Sequence, residues 1–372
     1  MRPKTLTIII CFGLMVSCYK PYTADIDSDE KILVVDGMIT NEVATYKIHL
    51  SYATPFYSNN TRQDVNSANV NVIDNLGNYY PFRESGNGYY LSDSLQFSGH
   101  PGSTYTLYIE TDDGETYVSD PQFLEPSYYS DTVYAGAEYQ ETFSRFNTSI
   151  VIIRGANIFI DMKSLKGTLP HFRFTSSLVK EYFYNEDSTG HKNAFYCWQT
   201  AFNVPEINIT HNKYLSDSSA INKHAVFFIA DVTSVLGMFY NQGPRQPDLS
   251  YKALPTFWYL PFDIVHRILY LNQYSLNNET YLYYKSIYEQ YTSEGKLFDP
   301  IAVQLTGNIH CTTNPGKQVF GFFEASSVSR SAYIIGFRYS WNDLYDVKRI
   351  PYNPLPESDG CRIFIKPPYW VK

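Results

Sequence analysis

From Lys31 to about Leu124, apolar and polar residues alternate in short segments. Ile32–Thr40, Tyr46–Thr54, Ala68–Asp74, Tyr79–Glu84, Tyr89–Ser92, Thr104–Thr111 and Thr116–Phe123 each carry this period of two. A strand points successive side chains to opposite faces, so the alternation predicts half-buried strands. Asp74-Asn75-Leu76-Gly77-Asn78, Asn87-Gly88 and Asp112-Asp113-Gly114 separate them, and these residues accept the backbone conformations of tight hairpin turns. Seven strands at such spacing predict an immunoglobulin-like β-sandwich domain over residues 31–125. Within it, Tyr105 stands at a strand start in the manner of a corner tyrosine, with Leu107 and Ile109 alternating inward, which is a packing role.

Pro121 and Pro126 mark the expected domain boundary, and residues 126–372 read as a larger, β-rich C-terminal domain. Its predicted strands are Thr148–Arg154, Asn157–Met162, His171–Leu178, Phe195–Phe202, His224–Ala230, Ala253–Leu260 and Gln318–Ala325. Segment 236–258 is rich in Pro and Gly and predicts a surface loop. One helix stands out near 277–294. Asn277 or Ser275 would cap it, Glu279 sits in its first turn, and Gly295 suits the left-handed position beyond its end. Tyr281, Tyr284, Tyr288 and Tyr291 recur at helical spacing and place a tyrosine stripe on one face. Packing of this stripe on a sheet is the first reading. Tyrosine also pairs an apolar ring with a polar tip, which suits a stacking or partner-binding face. Tyr281, Tyr284, Tyr288 and Trp258 are therefore the candidate binding aromatics.

The N-terminus has a different pattern. Arg2 and Lys4 precede an apolar run from Leu6 to Val16, too short for the roughly 20 residues that span a bilayer but suited to a secretory signal. Met15-Val16-Ser17-Cys18 follows directly and resembles a bacterial lipobox, in which the Cys thiol is diacylated and becomes the mature N-terminus. Residues 1–17 are thus expected to be a lipoprotein signal peptide and 18–30 a lipidated tether. Several acyl chains on Cys18 would give a stable anchor where one would be marginal. In the tether, Asp25, Asp27, Asp29 and Asp36 fall at calcium-loop spacing, but Glu30 stands where that loop needs Gly. Solvated linker acids are the better reading, and no metal site is expected.

Composition narrows the chemistry further. The chain of 372 residues holds 35 Tyr, 24 Phe and 4 Trp but only 18% charged residues, which excludes a disordered chain. Its formal charge of −8, without a basic run, argues against nucleic acid as a partner. Cys11 lies in the signal and Cys18 takes lipid, leaving Cys197, Cys311 and Cys361. In an oxidising envelope one pair and one free thiol are expected, with three pairings open. The eight His form no H-E-x-x-H or H-x-H motif, and no G-x-S-x-G elbow or P-loop is present. No catalytic residue and no cofactor is assigned, and the protein is not expected to be an enzyme.

Several of these segments together resemble a known family. Cys18, the short spacer and Leu33-Val-Val-Asp36-Gly37-Met-Ile-Thr-Asn41 resemble the opening of the Bacteroidota outer-membrane lipoproteins that carry DUF4249, a domain of unknown function. The similarity continues at Tyr196-Cys197-Trp198, Leu276–Tyr284 and Gly295-Lys-Leu-Phe-Asp299-Pro300. It is most specific in Leu305-Thr-Gly307-Asn308-Ile-His310-Cys311-Thr-Thr-Asn314-Pro315, and extends through Gly321–Val328 to Pro367-Pro368-Tyr369-Trp370. The family tail often carries two close Cys, whereas only Cys361 stands here. The resemblance implies an exported, lipid-anchored protein of the outer membrane. The body is expected at the surface rather than in the periplasm, although Tyr19-Lys20-Pro21-Tyr22 stand between Cys18 and Asp25, where surface-export signals place acids directly after the Cys. Its implied partner is a TonB-dependent outer-membrane receptor, which it would serve as a non-catalytic accessory or binding subunit in nutrient import or a surface complex. A stand-alone glycan-binding protein and a structural or adhesin subunit are the alternatives.

Overall fold

The computed structural model describes residues 31–53, 63–93, 97–143, 150–163, 169–186, 193–202, 207–210, 215–217, 220–230, 263–293, 305, 307–336, 347–352 and 360–363. Cys18, Trp258 and the segments Ala253–Leu260 and 236–258 lie outside them, as does Gly295. The first nine strands are β1 (Leu33–Ile39), β2 (Lys47–Tyr52), β3 (Gln63–Asp64), β4 (Asn69–Asp74), β5 (Tyr79–Gly86), β6 (Tyr89–Ser92), β7 (Thr104–Glu110), β8 (Thr116–Ser119) and β9 (Gln122–Phe123). Then come β10 (Thr132–Phe143), β11 (Ile150–Lys163), β12 (His171–Glu186), β13 (Asn193–Phe202), β14 (Asn208–Ile209), β15 (Leu215–Asp217), β16 (Ala220–Ala230) and β17 (Asp263–Leu276). The helix α1 (Asn278–Ser293) precedes β18 (Ile309–Cys311), β19 (Val319–Ala325), β20 (Ser327–Ile335), β21 (Val347–Ile350) and β22 (Gly360–Ile363). The mainly β class with one prominent helix is as the sequence predicts.

All three hairpin signals form turns. Gly77, Asn87, Gly88 and Gly114 adopt positive φ, the left-handed region that these residues tolerate best. Asp74 fixes the first turn by accepting the backbone N–H groups of Leu76 and Asn78, each at 2.9 Å. The corner tyrosine also stands: Tyr105 is buried with Leu107 and Ile109, and its hydroxyl accepts the His100 N–H at 2.7 Å. Two predicted strands, Thr148–Arg154 from Ile150 onward and Asn157–Met162, are one long strand β11. The Gly155-Ala156 pair that seems to interrupt them is buried against β16, where a side chain on Gly155 would strike the Ile229 carbonyl and the Phe228 ring.

Three sheets result. The first has 11 strands along the path β18-β8-β7-β4-β5-β6-β2-β1-β19, with β3 beside β2 and β9 beside β7. The hydrogen-bonded path runs continuously through this one curled sheet. Strands β1–β9 all precede residue 126, but residues 309–325 return to complete both ends of that sheet. A division at residue 125 does not foresee this return, because pairing partners almost 300 residues apart leave no local pattern: Leu33 faces Val319 and Ile39 faces Ala325 in the parallel β1–β19 pair. The second sheet runs β10-β11-β16-β15, and the third runs β21-β20-β17-β12-β13-β22 with β14 beside β12.

The curled sheet closes through a side chain. Asn308, just before β18 and 1% exposed, donates its amide to the Phe323 carbonyl at 2.8 Å and accepts the Phe323 N–H at 2.9 Å. This amide thus supplies the two hydrogen bonds a backbone partner would give to β19. Close approach is possible because Gly307 lies on Gly321, and Gly321 lies on Val35 at a φ of +93°; a Cβ on either glycine would collide with the carbonyl oxygen it faces. Inside the closed sheet the aromatic excess finds part of its explanation. Tyr90 is fully buried, donating to the Val65 carbonyl and accepting the Ala68 N–H, each at 3.0 Å. Tyr46 donates to the Thr40 carbonyl at 2.8 Å and Tyr117 to Glu115 at 2.5 Å. These rings fill volume like Phe while their hydroxyls stay satisfied.

Asn308→Ala removes both seam hydrogen bonds and strands the Phe323 N–H and C=O in the interior. Each orphaned buried group costs about 1–3 kcal/mol, so a loss of about 2–5 kcal/mol is expected in urea or guanidinium denaturation.

Candidate functional site

Strands β19 and β20 are one nearly uninterrupted run in which only Ser326 separates the first sheet from the third. The transfer is held on both sides. Ser326 N–H donates to the Ile39 carbonyl at 3.1 Å and Val328 N–H to the Asn41 side chain at 2.7 Å, while Arg330 pairs with Glu42 at 2.6 Å. Everything around this crossing is therefore placed by three elements: β1 and its following loop, β12 with β17, and α1.

At the centre sits a buried ion pair. Arg173 of β12 meets Glu324 of β19 at 3.0 and 3.2 Å, the carboxylate residue being 3% exposed. Arg173 also donates to the Met38 sulfur at 3.4 Å, and its guanidinium lies over the Tyr274 and Tyr284 rings at 4.2 and 4.7 Å. Burial by itself would push the guanidinium pKa down, but the Glu324 charge outweighs this and holds it above its ordinary value. Tyr284 completes the cluster by donating its hydroxyl to Glu324 at 2.6 Å. Burial, and then the adjacent carboxylate, drive the Tyr284 pKa well up, which keeps the donating proton in place.

Helix α1 is seated over this cluster. Asn277 is its cap: its Oδ1 accepts the Thr280 N–H at 2.8 Å, whereas Ser275 is buried within β17. Asn277 Nδ2 and the Thr280 hydroxyl both donate to Gln122 Oε1, and Gln122 Nε2 donates to Glu279 at 2.6 Å. Burial raises the Glu279 pKa, the Gln122 hydrogen bond opposes this, and the Asp120 charge adds to it. Asp120 in turn lies 3.1 Å from His310 at the solvent edge. This polar rim ties the helix start to β8, β9 and β18. Among the described residues, no group of three or more His, Cys, Asp or Glu is placed to hold a metal ion.

The tyrosine stripe is largely spent on packing. Tyr281 is buried and stacks on His171 with centroids 3.6 Å apart and planes at 6°. Tyr284 is held by Glu324 and Arg173, and Tyr288 packs half-buried against the same apolar cluster as Tyr274, Leu276 and Val328. Only Tyr291, at the last turn, is exposed. Tyr281 and Tyr284 are therefore not available to a ligand, because the face that would display them is the one that docks on the sheets. Tyr283, absent from the stripe, instead stacks on Phe322 at 4.3 Å and makes a second aromatic contact with the first sheet. The spacing does not single out Arg173, Glu324 or Asn308. A signal for the first two exists, in that each is a lone charge flanked by aromatics, in His171-Phe-Arg-Phe and Phe322-Phe-Glu-Ala. Of the three thiols, Cys311 is buried on β18 with its sulfur 3.3 Å from the Thr313 hydroxyl, while Cys197 and Cys361 lie on the paired strands β13 and β22.

Two predictions follow from this geometry. Removing one partner leaves a buried charge uncompensated, so Arg173→Met or Glu324→Met alone should cost about 3–5 kcal/mol, while the double Arg173→Met/Glu324→Met variant should cost clearly less than their sum. A denaturation double-mutant cycle measures this, and strictly additive losses would contradict a coupled pair. The second concerns pH. Burial, and then Lys285, lower the His171 pKa below its ordinary 6.5, so the unfolded chain takes up the proton first as pH falls. The resulting stability is complete above that value and is lost as pH drops through the folded one. Between about pH 7 and about pH 5, the urea midpoint should fall more for the wild type than for His171→Phe, whose pH response lacks this proton.

The family model described as "Domain of unknown function (DUF4249)" matches residues 19–332, a span that holds Asn308, Gly321, Arg173, Glu324, Tyr284 and Arg330 and ends before β21 and β22. No curated protein and no solved structure matches the chain. With most of its length matched, including both the seam and the ion pair that join its sheets, the chain belongs to the DUF4249 family.

Proposed function

We propose that this protein is a lipid-anchored, non-catalytic binding subunit that serves a TonB-dependent receptor of the outer membrane. The observation that carries a binding role is the tip of the β10–β11 hairpin. The two strands pair without a register shift from Thr132↔Asp161 to Phe143↔Ile150. At the base their shared face is core: Ala135, Ile158 and Ile160 are buried. Two-residue alternation puts Tyr139, Ile150 and Ile152 on that same face, yet they are 65%, 61% and 58% exposed. The hairpin thus carries this face out past the end of the core. The register places Glu141 opposite Ile152 and Arg154 opposite Tyr139 on this face, so the exposed surface mixes apolar and charged residues. Exposed large apolar side chains of this kind mark interaction sites, and the charges beside them suit a protein partner of mixed character.

The lipobox at Cys18 and the likeness of the sequence to exported lipoproteins support a receptor embedded in the same membrane as that partner. The candidate contact aromatics move accordingly, from Tyr281 and Tyr284 to Tyr139 with Ile150 and Ile152. The assembly reading has one observation of its own: among the described residues β10 lies at the end of its sheet, and a 12-residue edge strand of this kind is a template for pairing with another chain.

Affinity isolation from detergent-solubilised envelopes should recover a β-barrel receptor in stoichiometric amount, and the triple variant Tyr139→Ser/Ile150→Ser/Ile152→Ser should lose it while keeping the wild-type denaturation midpoint. Recovery of the protein alone, or only of further copies of itself, would sink the receptor reading. Cys18→Ala should release the protein from the membrane fraction; unchanged fractionation would count against lipid anchoring.

A further inference from the structure

Cys197 and Cys361 are 164 positions apart in sequence but directly opposite in the fold. In the antiparallel pair of β13 and β22 the register runs Phe195↔Ile363, Tyr196↔Arg362, Cys197↔Cys361 and Trp198↔Gly360. Directly opposed residues of such a pair have Cα atoms about 4.5–5.5 Å apart and carry their side chains on the same face of the sheet. A disulfide requires Cα atoms about 4.4–6.8 Å apart, so the backbone already holds the two cysteines at bonding distance. Cys311 is placed elsewhere. It belongs to the first sheet, opposite Tyr117, and is buried in that sheet's core. Joining it to either of the others would require β18 to leave its place beside β8.

We propose that Cys197 and Cys361 form a cross-strand disulfide, with Cys311 remaining a buried thiol. Of the three pairings open to the sequence, only this one is brought together by the register. The bond forms by exchange with a donor disulfide. One cysteine thiolate attacks the donor, giving a mixed disulfide and releasing one donor thiol. The second cysteine thiolate then displaces the second donor thiol and closes the Cys197–Cys361 bond. Two electrons pass to the donor, and the two cysteine protons end on its two released thiols. The bond fastens a weak element. Strand β22 has four residues and sits at the end of its sheet with β13 as its neighbour. Four residues of edge ladder fray readily, and a covalent tie at their centre would hold the C-terminal chain to the sheet. The ring so closed passes through α1, β18, β19 and β20, and so through both sides of the joint.

The test uses the full chain, which makes it independent of the receptor proposal because the oxidant is supplied in vitro. The protein is incubated with glutathione disulfide, denatured, alkylated without reduction, digested and analysed by mass spectrometry before and after reduction. The expected result is one peptide pair joining Cys197 to Cys361 that separates on reduction, with Cys311 recovered alkylated. In folded protein Cys311 should resist alkylation until denaturant is added. Reduction of the oxidised protein should lower its thermal midpoint and speed proteolytic release of the C-terminal segment, while Cys361→Ser should abolish both responses and expose one additional alkylatable thiol at Cys197. A bridge from Cys311 to either partner, or recovery of both Cys197 and Cys361 alkylated after oxidation, would overturn the assignment. The peptide map on the unaltered chain decides this whether or not the Ser variant folds.

Discussion

A buried ion pair is tolerated only where its partners are held in good geometry, and that condition governs how this protein is assembled. Arg173 belongs to the third sheet and Glu324 to the first, so neither charge can be satisfied unless the two sheets meet in one register. Tyr284 adds a third element to the same requirement, because its hydroxyl is a second donor to the carboxylate. The cluster therefore acts less as a source of net stability than as a device that makes wrong relative placements of sheets and helix costly.

The strand run from Val319 to Ile335 delivers this constraint. Its first half completes the curled sheet beside β1, and its second half enters the other sheet beside β17. Along seven residues it presents Gly321 to the β1 backbone, Phe323 to the Asn308 amide and Glu324 to Arg173. Closure of one sheet and attachment of the next are thus properties of a single segment. A shift by one residue would misplace all three contacts, since it exchanges which residues face the seam and which face Arg173. The two glycines at the seam have a physical reason as well, since backbone lies on backbone there with no room for a Cβ.

Tyrosine serves this architecture in two different ways. In the closed sheet, Tyr46, Tyr90, Tyr105 and Tyr117 are core residues whose hydroxyls reach a carbonyl, an N–H or a carboxylate. On α1, Tyr281, Tyr284 and Tyr288 bind the helix to the joint. Among the described residues, Tyr79, Tyr129, Tyr139 and Tyr291 are the tyrosines that keep more than half of their surface exposed. A high aromatic content with few charges therefore reflects an interior built from hydrogen-bonded rings as much as any binding face.

The local decisions were legible in the chain itself. Alternation located six of the seven strands expected in residues 31–124 nearly to their ends, Gly and Asn marked the hairpins, and Asn277, Glu279 and the 3.6-residue period of the tyrosines located α1 and its inner face. The seventh, Thr116–Phe123, divides into β8 and β9 at Asp120-Pro121, and the two-residue β3 carries no period to read. These depend on neighbours within a few residues, where backbone sterics and side-chain periodicity act directly. Which strands pair was not legible, since β1 with β19, β18 with β8 and β13 with β22 join segments that share no local pattern. For the same reason Arg173 and Glu324 read as isolated charges, and Cys197, Cys311 and Cys361 left three pairings open. Register between distant segments is set by the packing of whole faces, so only the tertiary structure decides which charges neutralise each other, which thiols stand opposite, and which apolar residues remain uncovered.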